Sequence, residues 1–129
     1  PWNRMTELAA DVKTTPAINQ VFYGATYPSP DTFFFTQYHS RAAGTWASME
    51  WVLSDEVDAM IDEARTISDV ARQNEIYKTL QRKLVEDQVD VFVLTQQSQQ
   101  AFHKCLQGFT WVPMQSFEFN FHTMQWVCD

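Results

Sequence analysis

Between residues 54 and 87 the apolar positions repeat with a helical period. Val57, Met60, Ile61 and Ala64 stand at i, i+3, i+4 and i+7, the spacing of one buried helix face. Ser54 precedes them as a capping hydroxyl, and Asp55 and Glu56 suit the positive end of the helix dipole. The pattern predicts a helix from Ser54, with Asp58, Asp62 and Glu63 mostly facing water. Ser68-Asp69 opens a second predicted helix, with Ile76, Tyr77, Leu80 and Leu84 as its buried stripe and Lys78, Arg82 and Lys83 in its second half. These two helices are the expected core.

Elsewhere the pattern is shorter. Met5, Leu8 and Val12 predict a helix over 3–12 with Asn3 as its cap, stopped before Pro16. Ile18, Val21, Phe22 and Tyr23 predict a strand over 17–23, broken by Gly24, Pro28 and Pro30. Phe33-Phe34-Phe35 leads to Tyr38-His39 in a short predicted helix capped by Asp31 or Ser29, and 40–53 reads as a long surface loop carrying Trp46 and Trp51. Val89, Val91 and Val93 alternate with Asp90, Phe92 and Leu94, predicting a strand, and 101–106 predicts another before a turn at Gly108. The tail over 116–126 alternates aromatic and polar residues in a strand-like way.

Composition narrows the class. The chain has 129 residues, enough for one domain with a real core, and 15% of them are aromatic, too many for a disordered chain. No apolar run approaches the roughly 18 residues of a membrane span, and no signal peptide is visible. The first residue is Pro1, without an initiator Met, so a mature, trimmed or cut chain is expected. The net charge is −7, and residues 50–90 hold eleven acids against five bases. Such a balance disfavours phosphate backbones and anionic membranes, so no nucleic-acid partner is expected, and the acidic stretch reads as a solvated helical face.

Little in the sequence points to covalent chemistry. His39, His103 and His122 lack metal-ligand spacing, no G-x-S-x-G elbow occurs, and Asp58 with Asp62 is a one-turn pair on a helix. No catalytic residue, cofactor or metal is expected. Cys105 and Cys128 are either bonded, in an oxidising compartment, or simply small apolar residues. Aromatic residues are the better lead: Trp2, Tyr23, Tyr27, Tyr38, Trp46 and Trp51 stand at element ends or in loops, where rings line binding clefts or plug loops onto a core.

Taken in order, several segments resemble the C-terminal part of the extracellular solute-binding proteins of ABC importers, of the oligopeptide/dipeptide/nickel type. Residues 23–31 (YGATYPSPD) are similar to that family's W-x-x-D-Y-x-x-P stretch, and 53–64 (LSDEVDAMIDEA) to its N-P-E-V-D-x-L-I-x-E-A helix. Residues 69–87 resemble the next helix, 89–94 the following strand, and Gly108-Phe109 the closing turn. The resemblance implies a fragment of an α/β, periplasmic-binding-protein-like (type II) fold with two core helices plus mixed strands. Residues 1–25 would form an interlobe helix and crossover strand, and 26–129 a return into the first lobe.

The same resemblance implies a function without catalysis: capture of a small polar solute, a peptide or an oligosaccharide, for delivery to a membrane permease from the periplasm or cell exterior. It implies ligand contacts at Trp2, Phe22, Tyr23, Gly24, Thr26 and Tyr27. Thr26 departs from the Asp that peptide binders often carry, and a hydroxyl cannot neutralise a ligand's α-ammonium. Relatives are several times longer, so the expected fragment lacks sheet partners and self-association is a corollary. The rival expectations are a carbohydrate-active hydrolase using clustered carboxylates and a free-standing interaction module.

Overall fold

The computed structural model describes residues 1–95, 97, 99–111 and 119–128. It is a small mixed α/β structure in which the helices form the core and the described sheet is a short pair of strands. In chain order it contains helix α1 (Trp2–Ala9), α2 (Asp31–Tyr38), a 3-10 turn (Ser40–Ala42), α3 (Asp55–Thr66), α4 (Val70–Glu86), strand β1 (Leu106–Gln107), a second 3-10 turn (Phe121–Thr123) and strand β2 (Gln125–Trp126).

The capping residues of α3 and α4 stand where the sequence places them. Ser54 Oγ accepts from the backbone N–H of Val57, and Asp69 accepts from Ala71 and Arg72. Each satisfies donors that the first helical turn leaves without a partner. Val57, Ile61 and Ala64 of α3 meet Ile76, Tyr77, Leu80 and Leu84 of α4, joined by Tyr38 of α2. Phe34, Phe35, Val52, Met60, Ile67 and Val89 close the periphery. The core therefore rests on three helices rather than two, because Phe34, Phe35 and Tyr38 pack α2 against the α3–α4 pair.

Helix α1 ends earlier than its apolar spacing suggests. Val12 is exposed, and Thr14 Oγ1 and Thr15 Oγ1 donate to the carbonyl of Leu8 at 2.9 and 3.2 Å. These hydroxyls take the place of the next helical turn. Asn3 lies inside the helix rather than capping it, and Pro1 is the first flanking residue.

Two expected strands are absent. Residues 17–23 and 89–94 form no ladder, and Val91, Phe92, Val93 and Leu94 are 65–87% exposed. Strand propensity reflects packing on a neighbour, and among the described residues these segments have no hydrogen-bonded partner strand. The crossover strand expected within residues 1–25 is accordingly irregular chain. The expected strand over 101–106 shrinks to Leu106–Gln107, antiparallel to Gln125–Trp126 with Leu106 opposite Trp126. Of the strand-like tail over 116–126, residues 116–118 lie outside the described residues, 121–123 are a 3-10 turn and 125–126 form β2.

The loop over 40–53 is not a surface loop. Ala47, Ser48 and Met49 are buried, and Ser48 Oγ donates to the carbonyl of Gln37 at 2.5 Å. Asp58 also faces inward, accepting from the backbone N–H of Ser40 at 2.8 Å and from its hydroxyl.

The C-terminal segment is built around its own contacts. Cys105 and Cys128 are disulfide-bonded, with Cα atoms 4.8 Å apart. Phe102, Phe109 and Phe119 form a ring cluster with centroids 4.6–6.2 Å apart. Gly108 has φ +77°, and a Cβ there would lie 1.9 Å from the carbonyl oxygen of Thr123. Both conditions demand glycine.

Candidate functional site

Three segments that share no regular hydrogen bonding converge on one aromatic wall. Trp2 comes from the first turn of α1, Tyr23 from the irregular chain before α2, and Trp46 from the loop after the first 3-10 turn. The Trp2 and Trp46 rings are 5.2 Å apart, Tyr23 and Trp46 5.7 Å, and Tyr23 and Phe33 5.6 Å. Such spacings suit favourable tilted and edge contacts. Burial of the residues after Trp46 fixes its loop, while Trp2 remains 60% exposed.

Hydrogen bonds to α2 hold the wall in place. The Tyr23 hydroxyl donates to the carbonyl of Thr32 at 3.0 Å and lies 2.6 Å from Thr36 Oγ1. Thr32 is fully buried, and its Oγ1 accepts from the Thr26 backbone N–H at 3.2 Å and lies 2.9 Å from Thr26 Oγ1. Tyr27 donates to Asp31 Oδ2 at 2.5 Å. That bond is the main cause that pushes the Tyr27 phenol up to about 12, with burial and the Asp31 charge adding to it. Asp31 in turn pairs with Arg65 of α3 at 3.1 Å, whose guanidinium lies over the Phe35 ring.

The six residues expected at the ligand cleft thus separate into three groups. Trp2 and Tyr23 share one wall through Trp46. Thr26 and Tyr27 turn towards α2, where their hydroxyls are engaged. Phe22 is 63% exposed, and the space around Gly24 is open. Trp46 was legible only as an aromatic in a loop. Phe33, Thr32 and Thr36 were not legible as site residues, although the i, i+4 spacing of the two threonines on a short helix is the signal that places them on one face.

A second polar cluster lies between α2 and α3. His39 is buried at 3% exposure, with Nδ1 3.4 Å from Asp58 and Nε2 3.4 Å from Asp62. Arg41 approaches the same imidazole and pairs with Asp62 at 3.1 Å. The two carboxylates therefore fasten the end of α2 to α3. A third polar contact joins Tyr38 to Asp90. Tyr38 donates to Asp90 Oδ2 at 2.6 Å, and burial, followed by the nearby Asp90 charge, pushes the Glu50 carboxyl up to about 7. Among the described residues no group of three His, Cys, Asp or Glu side chains is arranged to hold a metal ion. No described helix is long and apolar enough to cross a membrane.

No family model, curated protein or solved structure matches the chain.

Proposed function

We propose that the chain is the C-terminal part of a two-lobed solute-binding protein serving an ABC importer, and that its aromatic wall forms one side of the solute cleft. The meeting of Trp2 and Tyr23 on Trp46 carries this reading: residues far apart in sequence bring their rings together, and nothing lies within 4 Å of where a Cβ on Gly24 would stand. Rigid rings bury ligand surface at low entropy cost. The Cys105–Cys128 disulfide supports a periplasmic or extracellular setting, where such bonds persist. Delivery to a membrane permease would follow lobe closure, without covalent chemistry.

The wall favours an uncharged solute, an oligosaccharide or a blocked peptide. Thr26 spends its hydroxyl on Thr32, and the nearby Asp31 carboxylate is held by Tyr27 and Arg65. A ligand ammonium there would be desolvated without a free counter-charge. The hydrolase reading draws no comparable support, since Asp58 and Asp62 share one helix turn and both hold His39. An interaction module is favoured by one observation, the exposed run Val91–Leu94.

Tryptophan fluorescence of the chain titrated with neutral oligosaccharides, N-acetylated peptides and free-amine peptides tests the reading. A weak, saturable shift with the neutral ligands, lost in Trp2→Ala and Trp46→Ala, is expected. A larger shift with free-amine peptides, or no shift with any ligand, overturns it.

A further inference from the structure

A second cleft is built from the C-terminal part of the chain and shares no residue with the wall of Trp2, Tyr23 and Trp46. Gln97, Gln100, Phe102, Phe109 and Trp111 line it, and its volume is about 500 Å³, within the roughly 300–1,000 Å³ of ligand clefts. The backbone beside it is fixed from several sides. Cys105 is bonded to Cys128, the Val127 N–H donates to the Cys105 carbonyl at 2.8 Å, and Leu106–Gln107 pairs with Gln125–Trp126. Gly108 then turns the chain tightly against Thr123. Phe109 leaves that held turn with its ring 4.6 Å from the ring of Phe102. Phe119 backs both rings, at 6.0 and 6.2 Å.

Trp111 differs from these packed rings. It is 60% exposed, and it makes none of the ring contacts that hold Phe102 and Phe109. Its indole is therefore available to a flat ligand entering the cleft. Gln97, also exposed, adds a planar carboxamide with an acceptor oxygen and two N–H donors, and Gln100 adds a second. None of the described lining residues is charged.

We propose that this cleft binds an uncharged purine nucleoside, with the base stacked on Trp111 and its edge read by the carboxamide of Gln97. A purine is planar, apolar on both faces and polar along its edge, which matches a lining of three aromatic and two amide side chains. Stacking on an aromatic ring suits any base, and a glutamine carboxamide can bond bidentately to the N6 and N7 atoms of adenine. A phosphate finds no cation in this lining, and the net charge of −7 repels it. The nucleoside rather than its phosphate is therefore the ligand. A hexose carries hydroxyls around its whole rim, and three rings would leave most of them without partners. A wholly apolar ligand would desolvate the two amides.

Indole and side-chain amide NMR signals of the full chain, titrated separately with adenosine, adenosine monophosphate and maltohexaose, test the site. Adenosine should shift the Trp111 indole N–H and the Gln97 side-chain N–H groups in a saturable way, and the monophosphate should bind more weakly. Trp111→Ala should weaken adenosine binding about tenfold or more, and Gln97→Ala about three- to tenfold. Trp2→Ala should leave it unchanged, since the wall takes no part. The stacked rings of His103 and Trp126 report in each variant that the segment keeps its fold. The proposal is overturned by an unmoved Trp111 signal with adenosine, or by tighter binding of the monophosphate or of maltohexaose at Trp111. Adenosine binding that is unaltered in Trp111→Ala, or lost in Trp2→Ala, overturns it equally.

Discussion

The indole N–H of Trp51 donates to Thr15 Oγ1 at 2.9 Å, across 36 residues of sequence. Thr15 is also the residue whose hydroxyl helps to close α1. One side chain therefore ties the N-terminal helix to the buried loop behind the aromatic wall. Trp51 takes a left-handed backbone, φ +52°, to reach it, and its ring lies 3.1 Å from where a Cβ on Gly44 would stand.

Gly44 has φ +81°, so Gly44→Ala meets both a disfavoured backbone and the ring of Trp51. A loss of about 1–3 kcal/mol is expected. Trp51→Phe removes the hydrogen bond and should cost about 1 kcal/mol beyond its packing loss. Urea unfolding of each variant checks both values, and the double variant should lose less than the sum because the two residues touch.

Reduction of the disulfide should loosen the C-terminal segment while leaving the helices folded. The bond closes a loop with a sequence separation of 23, for which chain entropy corresponds to about 3 kcal/mol. None of the helical core residues belongs to that segment. Far-ultraviolet circular dichroism should retain the helical signal in reductant, while the chemical shifts of His103 and Trp126, stacked at 4.9 Å, should move. Loss of the helical signal on reduction would count against this division.

Stability should fall as pH rises towards neutrality. Burial raises the Glu50 carboxyl from 4.5 in the ordinary state to about 7 in the fold. The folded chain therefore holds that proton more tightly than the unfolded one. Its contribution is complete below about pH 4.5 and is lost as pH climbs through about 7. Because Glu50 is partly solvated, about 1–2 kcal/mol is expected across that window. Glu50→Gln should flatten this part of the curve in chemical unfolding at pH 5, 6, 7 and 8.

The legible parts of the fold were those decided within a few turns of chain. Ser54 and Asp69 cap α3 and α4 because the capping oxygen and the N–H groups it satisfies lie within three residues of each other. The stripe through Ile76, Leu80 and Leu84 points inward because helical periodicity alone puts those side chains on one face. Val89 to Leu94 has an equally clear alternation, yet it makes no strand, since a ladder needs a second chain segment at hydrogen-bonding distance. The candidate wall was half legible. Trp2 and Tyr23 could be named, but Trp46, which joins them, is placed by burial of Ala47, Ser48 and Met49 on the core.

By itself, then, the sequence determined the starts and inward faces of α3 and α4, and the need for glycine at a turn such as Gly108. These follow from backbone sterics and side-chain spacing over short distances. The tertiary structure alone decided that α2 completes the core, that Asp58 turns inward to Ser40 and His39, that Cys105 bonds Cys128, and that Tyr38 reaches Asp90. Each of these depends on contacts between residues distant along the chain. No local propensity records such contacts, because their energy exists only once packing has brought the partners together.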